Sequence, residues 1–384
     1  MYKRQARNVQ RSGSTNGAGV GAAILAGVMA LVFLVPWGTT GKRESDRNGN
    51  FDFYTAGRMP VSFGGRVMPL DAFARQTLKA LSNRESLYLK IVEDAYEVKK
   101  TEDDTTPDVL QPIRDRVGGK KISAVQWLME IAAAALPDGA DTETINDLPM
   151  IRIDSNEVRD ELKLPRRSSK LYSLREIQDN EELWIGVSAK LKAIRQKDSA
   201  EWQFKDKKLI ELENRLRQYR VTEVAMQLPT PPRIPPSMIG PNATAESVQL
   251  MAFRALQGQM ETIQKMPAPR LVPPSKSTVD DSVDEPDWTV FSTAFFEETK
   301  AQFSGGKTDA NEVVKHFASM IRAYSTEDTK DFNEAVDNAL AAAGEYPIPG
   351  YSVDAVALER RIQSNSPTHL AWICLLYTSP SPRD

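Results

Sequence analysis

The side chains best suited to chemistry are few and far apart. The chain holds two histidines, His316 and His369, and one cysteine, Cys374. A local metal motif needs ligands within a helical turn or a short loop of each other. The histidines are 53 residues apart and no second cysteine exists, which excludes a local zinc motif and a disulfide framework. Gly306-Lys307-Thr308 has the form of the end of a phosphate loop, but the glycine required five residues earlier is Ala301. Gly17-Ala-Gly19-Val-Gly-Ala22 fits the loose dinucleotide pattern, yet it follows no strand and opens a long apolar run, where small residues are common. Neither a His-Glu-x-x-His nor a Gly-x-Ser-x-Gly motif is present. The acidic pairs Asp103/Asp104 and Glu297/Glu298 are adjacent in sequence and read as solvated surface rather than as an acid/base dyad. Asn242-Ala-Thr244 fits a glycosylation triplet, a pattern frequent by chance.

Composition narrows the class further. The chain has 384 residues, 41% of them apolar and 26% charged, which is enough apolar mass for two or three domains. A net charge of −3 argues against a nucleic-acid partner, which calls for a basic surface. The 24 prolines and 21 glycines show no period and exclude a repeat or fibrous protein.

Both ends read as foreign to the rest. Residues 374–384, Cys374 to Asp384, cut off an apolar run that has just begun at Leu370-Ala-Trp-Ile373, and they resemble the translation of a sequencing-library adapter. Met1-Tyr-Lys-Arg-Gln5 is similar to the complementary strand of that adapter. On this expectation the chain is an internal fragment whose natural part has no cysteine, and both ends are set aside in fold reasoning.

Between them the order of elements is legible. Residues 17–37 form an almost unbroken apolar run of 21 residues. As a helix it rises about 31 Å, enough to span the hydrocarbon of a bilayer. A cleaved signal peptide is the rival reading, but it calls for a shorter apolar core followed by small-x-small residues. Val35-Pro-Trp-Gly-Thr39 follows instead, which favours a retained anchor. Flanking basic residues do not decide its orientation.

Residues 41–228 and 229–365 are expected as two extracytoplasmic regions joined by the proline-rich stretch Pro229 to Pro241, and 366–373 as the start of a second span. The fold class expected is mainly α with one small β-hairpin. Helices are predicted over Ala72–Leu81 (core Phe73, Leu78, Leu81), Ile122–Leu136 (core Trp127, Leu128, Ile131) and Asn156–Leu164, the last stopped by Pro165. Ser173 is placed to cap a short helix. Asn180–Leu228 is either one long helix with a charged waist or a pair broken near Asp198-Ser199. Helices are also predicted over 247–266, 288–302, 311–323, 331–343 and 353–363, with exposed or linking segments at 99–120 and 280–287.

One stretch carries a pattern: Met59-Pro-Val61, then Gly65-Arg66-x-x-Pro69-Leu70-Asp71-x-x-Ala74-Arg75. Two short extended runs flank Gly64-Gly65, a hairpin signal, and Asp71 is placed as the N-cap of the following helix. The stretch resembles the signature of the large extracytoplasmic region of cytochrome c biogenesis proteins of the CcsA/ResB (system II) type. Trp127-Leu128, Met150 to Ile153, Leu162-x-Leu164, Ser173-Leu174 and Leu358-Glu359 are similar in order; Ala72 departs from the threonine usual there.

The resemblance implies a multi-pass inner-membrane protein with its bulk in the periplasm and haem as the cofactor of the full-length form. It implies apocytochrome c and a haem-handling membrane part as partners. The tryptophan-rich haem motif and paired histidines of that family are not in this sequence. Gly65, Arg66, Pro69, Leu70, Asp71 and Arg75 are the candidate site residues, in a structural role or in contact with haem propionates or the apocytochrome. The structural role has Arg66 pairing with Asp71 or a helix C-terminus, and Arg75 on the surface. His369, at the expected membrane boundary, is the candidate axial ligand, and His316 reads as a partly buried helical residue. No catalytic residue emerges. An anchored extracytoplasmic scaffold or sensor with no haem role is the alternative.

Overall fold

Apolar side chains at helical spacing dominate the sequence, and they build a mainly helical protein. The computed structural model describes residues 50–88, 121–134, 136, 142–178, 181–232, 234–235, 239, 244–274, 288–303, 311–346 and 359. Helix α1 (Phe53–Ala56) leads into the hairpin β1 (Pro60–Phe63) and β2 (Arg66–Pro69), and then α2 (Leu70–Ser82). Strand β3 (Ser86–Tyr88) pairs antiparallel with β4 (Lys121–Ser123), which passes into α3 (Ala124–Ala133). Next come α4 (Thr142–Asp147), β5 (Ile151–Arg152), α5 (Asn156–Glu161), β6 (Leu171–Tyr172) and α6 (Leu174–Gln178), with β5 and β6 paired antiparallel. The longer helices follow: α7 (Glu181–Arg195), α8 (Phe204–Met226), α9 (Ala245–Lys265), α10 (Phe291–Phe303), α11 (Glu312–Ser325) and α12 (Thr329–Gly344). The single hairpin expected is thus accompanied by two further small antiparallel pairs.

Local chemistry sets the boundaries. The helix predicted from Ile122 starts at Ala124, because Lys121–Ser123 is drawn into β4 and the Ser123 hydroxyl accepts the Gln126 N–H. Helix α5 is shorter than Asn156–Leu164. The chain leaves it through Lys163 at φ 51, before Pro165 is reached. Ser173 does cap α6: its hydroxyl accepts the Glu176 N–H at 3.1 Å while the Glu176 carboxylate accepts the Ser173 N–H at 2.9 Å, a reciprocal capping box. The stretch 180–228 is a helical pair. Helix α7 ends at Arg195, and a 3₁₀ turn at Ser199–Glu201, capped by Asp198, separates it from α8.

Helix α8 is the spine: it touches α2, α3, α5, α7, α9 and α10. Its Leu209, Leu212, Leu216 and Tyr219 are buried, facing Val187, Leu191 and Ile194 of α7 in the same apolar cluster. That cluster also takes in Phe73, Leu78 and Leu81 of α2, Trp127, Leu128 and Ile131 of α3, and Phe317, Ile321 and Tyr324 of α11. Residues on both sides of the proline-rich stretch therefore share one core. Chain contacts divide the protein into two units, and every described residue falls in one of them, Ser45–Arg360.

Two polar devices, one buried and one at the surface, close this core. The Glu130 carboxylate on α3, 2% exposed, accepts the Tyr324 hydroxyl at 2.7 Å. At the start of the described chain, the Asp52 N–H donates to Asn333 Oδ1 of α12 at 2.8 Å, and Asn333 Nδ2 donates to the Asn50 carbonyl at 3.0 Å. Phe51 packs edge-on against Tyr324 and Phe332, with ring centroids 5.0 and 5.1 Å away.

Among the described residues no helix is long and apolar enough to cross a membrane. The anchor expected at 17–37, the span expected from 366, both adapter-like ends, the 99–120 segment, the 280–287 linker and the 353–363 helix (save Glu359) lie outside the described residues.

Tyr324→Phe removes a hydroxyl donor from a buried carboxylate. Urea unfolding should show a loss of about 1–3 kcal/mol with an unchanged m-value. Lys315→Met, on the exposed side of α11, should stay within about 0.5 kcal/mol of the parent.

Candidate functional site

Two glycines set the geometry of the motif. The hairpin register runs from Pro60↔Pro69 to Phe63↔Arg66, which leaves Gly64 and Gly65 as a two-residue loop. Their φ angles are +61° and +76°, the left-handed pair that a type I′ turn demands and that glycine adopts without strain. A Cβ at either position would meet open space, so backbone conformation rather than crowding calls for glycine. The other edge of β1 is fastened by Arg270, which exchanges backbone hydrogen bonds with Ser62 at 2.9 and 3.0 Å.

No loop separates the hairpin from α2. Pro69 ends β2 and is itself the residue capping the helix. Asp71 therefore is not the N-cap but the second helical residue, 3% exposed. The leading N–H groups of α2 are met by backbone instead: Leu70 N–H donates to the Met59 carbonyl at 2.7 Å and Asp71 N–H to that of Gly57 at 3.0 Å. The Asp71 carboxylate lies 2.9 Å from Arg75 Nε, one turn on, in the part of the helix where the macrodipole favours a negative charge. Pro69 and Leu70 are buried frame.

The arginines have partners other than those expected. Arg66, exposed beside the hairpin turn, pairs with Glu359 rather than with Asp71 or a helix C-terminus. Arg75 is half-buried rather than superficial. Besides Asp71, it approaches Glu85, with Nη1 3.9 Å from Oε2. Lys79, one further turn along, meets Glu85 Oε1 at 2.9 Å. Asp71, Arg75 and Lys79 thus form one row at a spacing of four, while Leu70, Phe73, Leu78 and Leu81 face the core.

Beyond α2, Asn83 at φ 60 turns the chain back into β3. Pairing of β3 with β4 then sets Ser86, Tyr88, Lys121 and Ser123 opposite the Asp71–Arg75–Lys79 row, around a cleft of about 450 Å³ that Arg84 and Glu85 also line. Lys121 Nζ stands 5.8 Å from the centre of the Tyr88 ring. The Glu85 carboxyl is held below the ordinary glutamate value. The hydrogen bond from Lys79 is the main cause; part-burial opposes it, and the charges of Lys79, Arg75 and Lys121 add to it.

The structure thus brings Asp71 and Arg75 into a cleft and leaves Gly65 and Arg66 at the hairpin tip. His369 lies outside the described residues. His316 on α11 is partly buried, with Nε2 3.4 Å from Glu312 one turn away. Among the described residues, no three His, Cys, Asp or Glu side chains converge as metal ligands. Arg66 and Arg75 carry the guanidinium groups of the motif, each facing a carboxylate of this chain. Lys79, Arg84, Glu85 and Lys121 were not singled out from the sequence. The spacing of Asp71, Arg75 and Lys79 pointed to Lys79, but nothing local pointed to Lys121. No protein family, curated protein or solved structure compared with the chain matches it.

Because folding lowers the Glu85 pKa, its contribution to stability is complete above the unfolded value of 4.5 and is lost as pH falls through the folded value. The stability difference between the parent and Lys79→Met should therefore be constant from neutral pH down to about 4.5 and shrink below it, as followed by urea unfolding across that range.

Proposed function

We propose that this chain is the extracytoplasmic region of a membrane-bound component of cytochrome c maturation, of the CcsA/ResB kind. The observation that carries this reading is that the motif residues make one physical unit. The Gly64-Gly65 turn, Arg66, the Pro69-Leu70 junction and the Asp71–Arg75 pair form a single hairpin-to-helix cassette, apolar positions inward and arginines outward. Glu359, from the other end of the resemblance, meets Arg66 across 293 residues of chain.

In this reading the run at 17–37 tethers the domain to the inner membrane. A haem-handling membrane part, in another subunit or in the same polypeptide, delivers haem to apocytochrome c. Haem, when bound, supplies the vinyl groups that the cytochrome thiols attack. The residues of this chain orient and cover. Arg75, with Nε 2.9 Å from Asp71 and Nη1 3.9 Å from Glu85, presents the guanidinium that a propionate would engage in place of Glu85. Arg66 offers a second guanidinium at the hairpin tip. No group here performs the thioether chemistry.

A second reading, an anchored extracytoplasmic scaffold or sensor, is favoured by one observation: both arginines already have carboxylate partners, Glu359 and Asp71. Haem titration of the full chain in detergent, followed by Soret absorbance, separates the two. Saturable binding weakened about tenfold by Arg66→Ala or Arg75→Ala is the outcome the maturation reading requires. Absence of binding, or binding indifferent to both changes, leaves the scaffold.

A further inference from the structure

The cleft beside α2 carries more positive charge than its own carboxylates neutralise. Four cationic side chains line it, Arg75, Lys79, Arg84 and Lys121, against the carboxylates of Asp71 and Glu85. Both carboxylates are committed on the α2 side: Asp71 to Arg75 at 2.9 Å, and Glu85 to Lys79 at 2.9 Å with Arg75 at 3.9 Å. Among the described residues no ion pair engages Arg84 or Lys121. Lys121 has only the face of the Tyr88 ring beneath it, a contact that leaves its ammonium donors available.

Ser123, the N-cap of α3, and Ala124, its first residue, form part of the cleft wall, and the first turn of α3 holds no acidic residue. The positive end of its dipole adds to the field from the side chains. The Glu85 carboxyl is held below its ordinary value chiefly by the Lys79 hydrogen bond, part-burial opposing it and the charges of Lys79, Arg75 and Lys121 adding to it. Arg75 also lines the cleft, its guanidinium lying between Asp71 and Glu85. A volume of about 450 Å³ is in the range of small-ligand clefts rather than of macromolecular docking faces.

We propose that this cleft binds a doubly charged tetrahedral oxyanion, a phosphate group either free or as a small monoester, with Arg84 and Lys121 supplying the unspent charge. The site does not rest on the maturation reading, which concerns haem and the cytochrome. Arg84 follows the end of α2 and Lys121 begins β4, so neither belongs to the buried frame, and both can be replaced without opening the core.

The test is calorimetric titration of the full chain with inorganic phosphate at slightly alkaline pH and low salt, repeated with glycerol phosphate and with succinate. Saturable binding of phosphate is expected, weakened about tenfold by Arg84→Met or by Lys121→Met and abolished by the pair. Lys315→Met, an equal loss of charge on α11, should change nothing. Tighter binding of glycerol phosphate than of phosphate identifies a monoester as the source, and the reverse identifies the free ion. The proposal is overturned if phosphate shows no saturation, if succinate binds equally well, or if Lys315→Met weakens binding as much as the cleft variants do. Circular dichroism of each variant checks that the helical content is unchanged, so a lost site is not mistaken for a lost fold.

Discussion

Pro69 belongs to a strand and to a helix at once, and this junction removes most of the freedom α2 would otherwise have. A strand places side chains alternately on two faces, and a helix places them every 100° around an axis. With no loop between them, the register of the hairpin fixes the rotation of the helix. Leu70 is forced inward beside Met68, and the Asp71–Arg75–Lys79 row is forced toward β3 and β4. A slip of one residue in the hairpin would exchange the faces of β1 and β2 and carry the row with it. The two left-handed glycines prevent that slip, because only they close the strands in this register. The helix also dispenses with a side-chain cap, since the carbonyls of Gly57 and Met59 already receive its first N–H groups.

Charge is used in two ways. Arg167 and Glu176 are almost wholly buried, joined at 3.0 Å, with the guanidinium 5.3 Å from the centre of the Tyr172 ring. Burying such a pair costs desolvation on both sides, and its return is a fixed arrangement rather than net stability. Here it fastens α6 to the segment before β6. Glu161 works similarly: burial raises its pKa, yet hydrogen bonds from Lys190 and Lys205 bring it below the ordinary value, which joins α5 to both α7 and α8. Around the α2 cleft the pairs are half-exposed, and the cations outnumber the acids. The first pattern fixes helices; the second leaves charge available to solvent and solutes.

What could be read in advance follows the range of each signal. The Gly64-Gly65 turn was legible because its demand for positive φ is local, and the stripes Val187–Leu191–Ile194 and Leu209–Leu212–Leu216 because helical period is local too. Ser173 was legible as a cap, while the return bond to Glu176 that makes it a capping box is seen in the structure. Asp71 was misplaced because an acidic residue near a helix start is favoured both as a cap and in the first turn, and only the hairpin register decides between them. The β3–β4 pair escaped notice because its halves are separated by residues 89–120, and Ile122 fits the helical period that follows it as well as it fits a strand. The Arg66–Glu359 pair had no local sign at all. The candidate site was therefore half visible: the α2 row could be anticipated from spacing, and the wall opposite it could not.

The pin between Asp52 and Asn333 joins positions 281 residues apart. A polypeptide emerging from the ribosome at roughly 5–20 residues per second presents Phe51 and Phe53 for about 15–55 s before α12 exists to receive them. During that window two aromatic rings stand uncovered beside an unfinished core. The core around these rings is therefore completed only when α12, far along the chain, has been made.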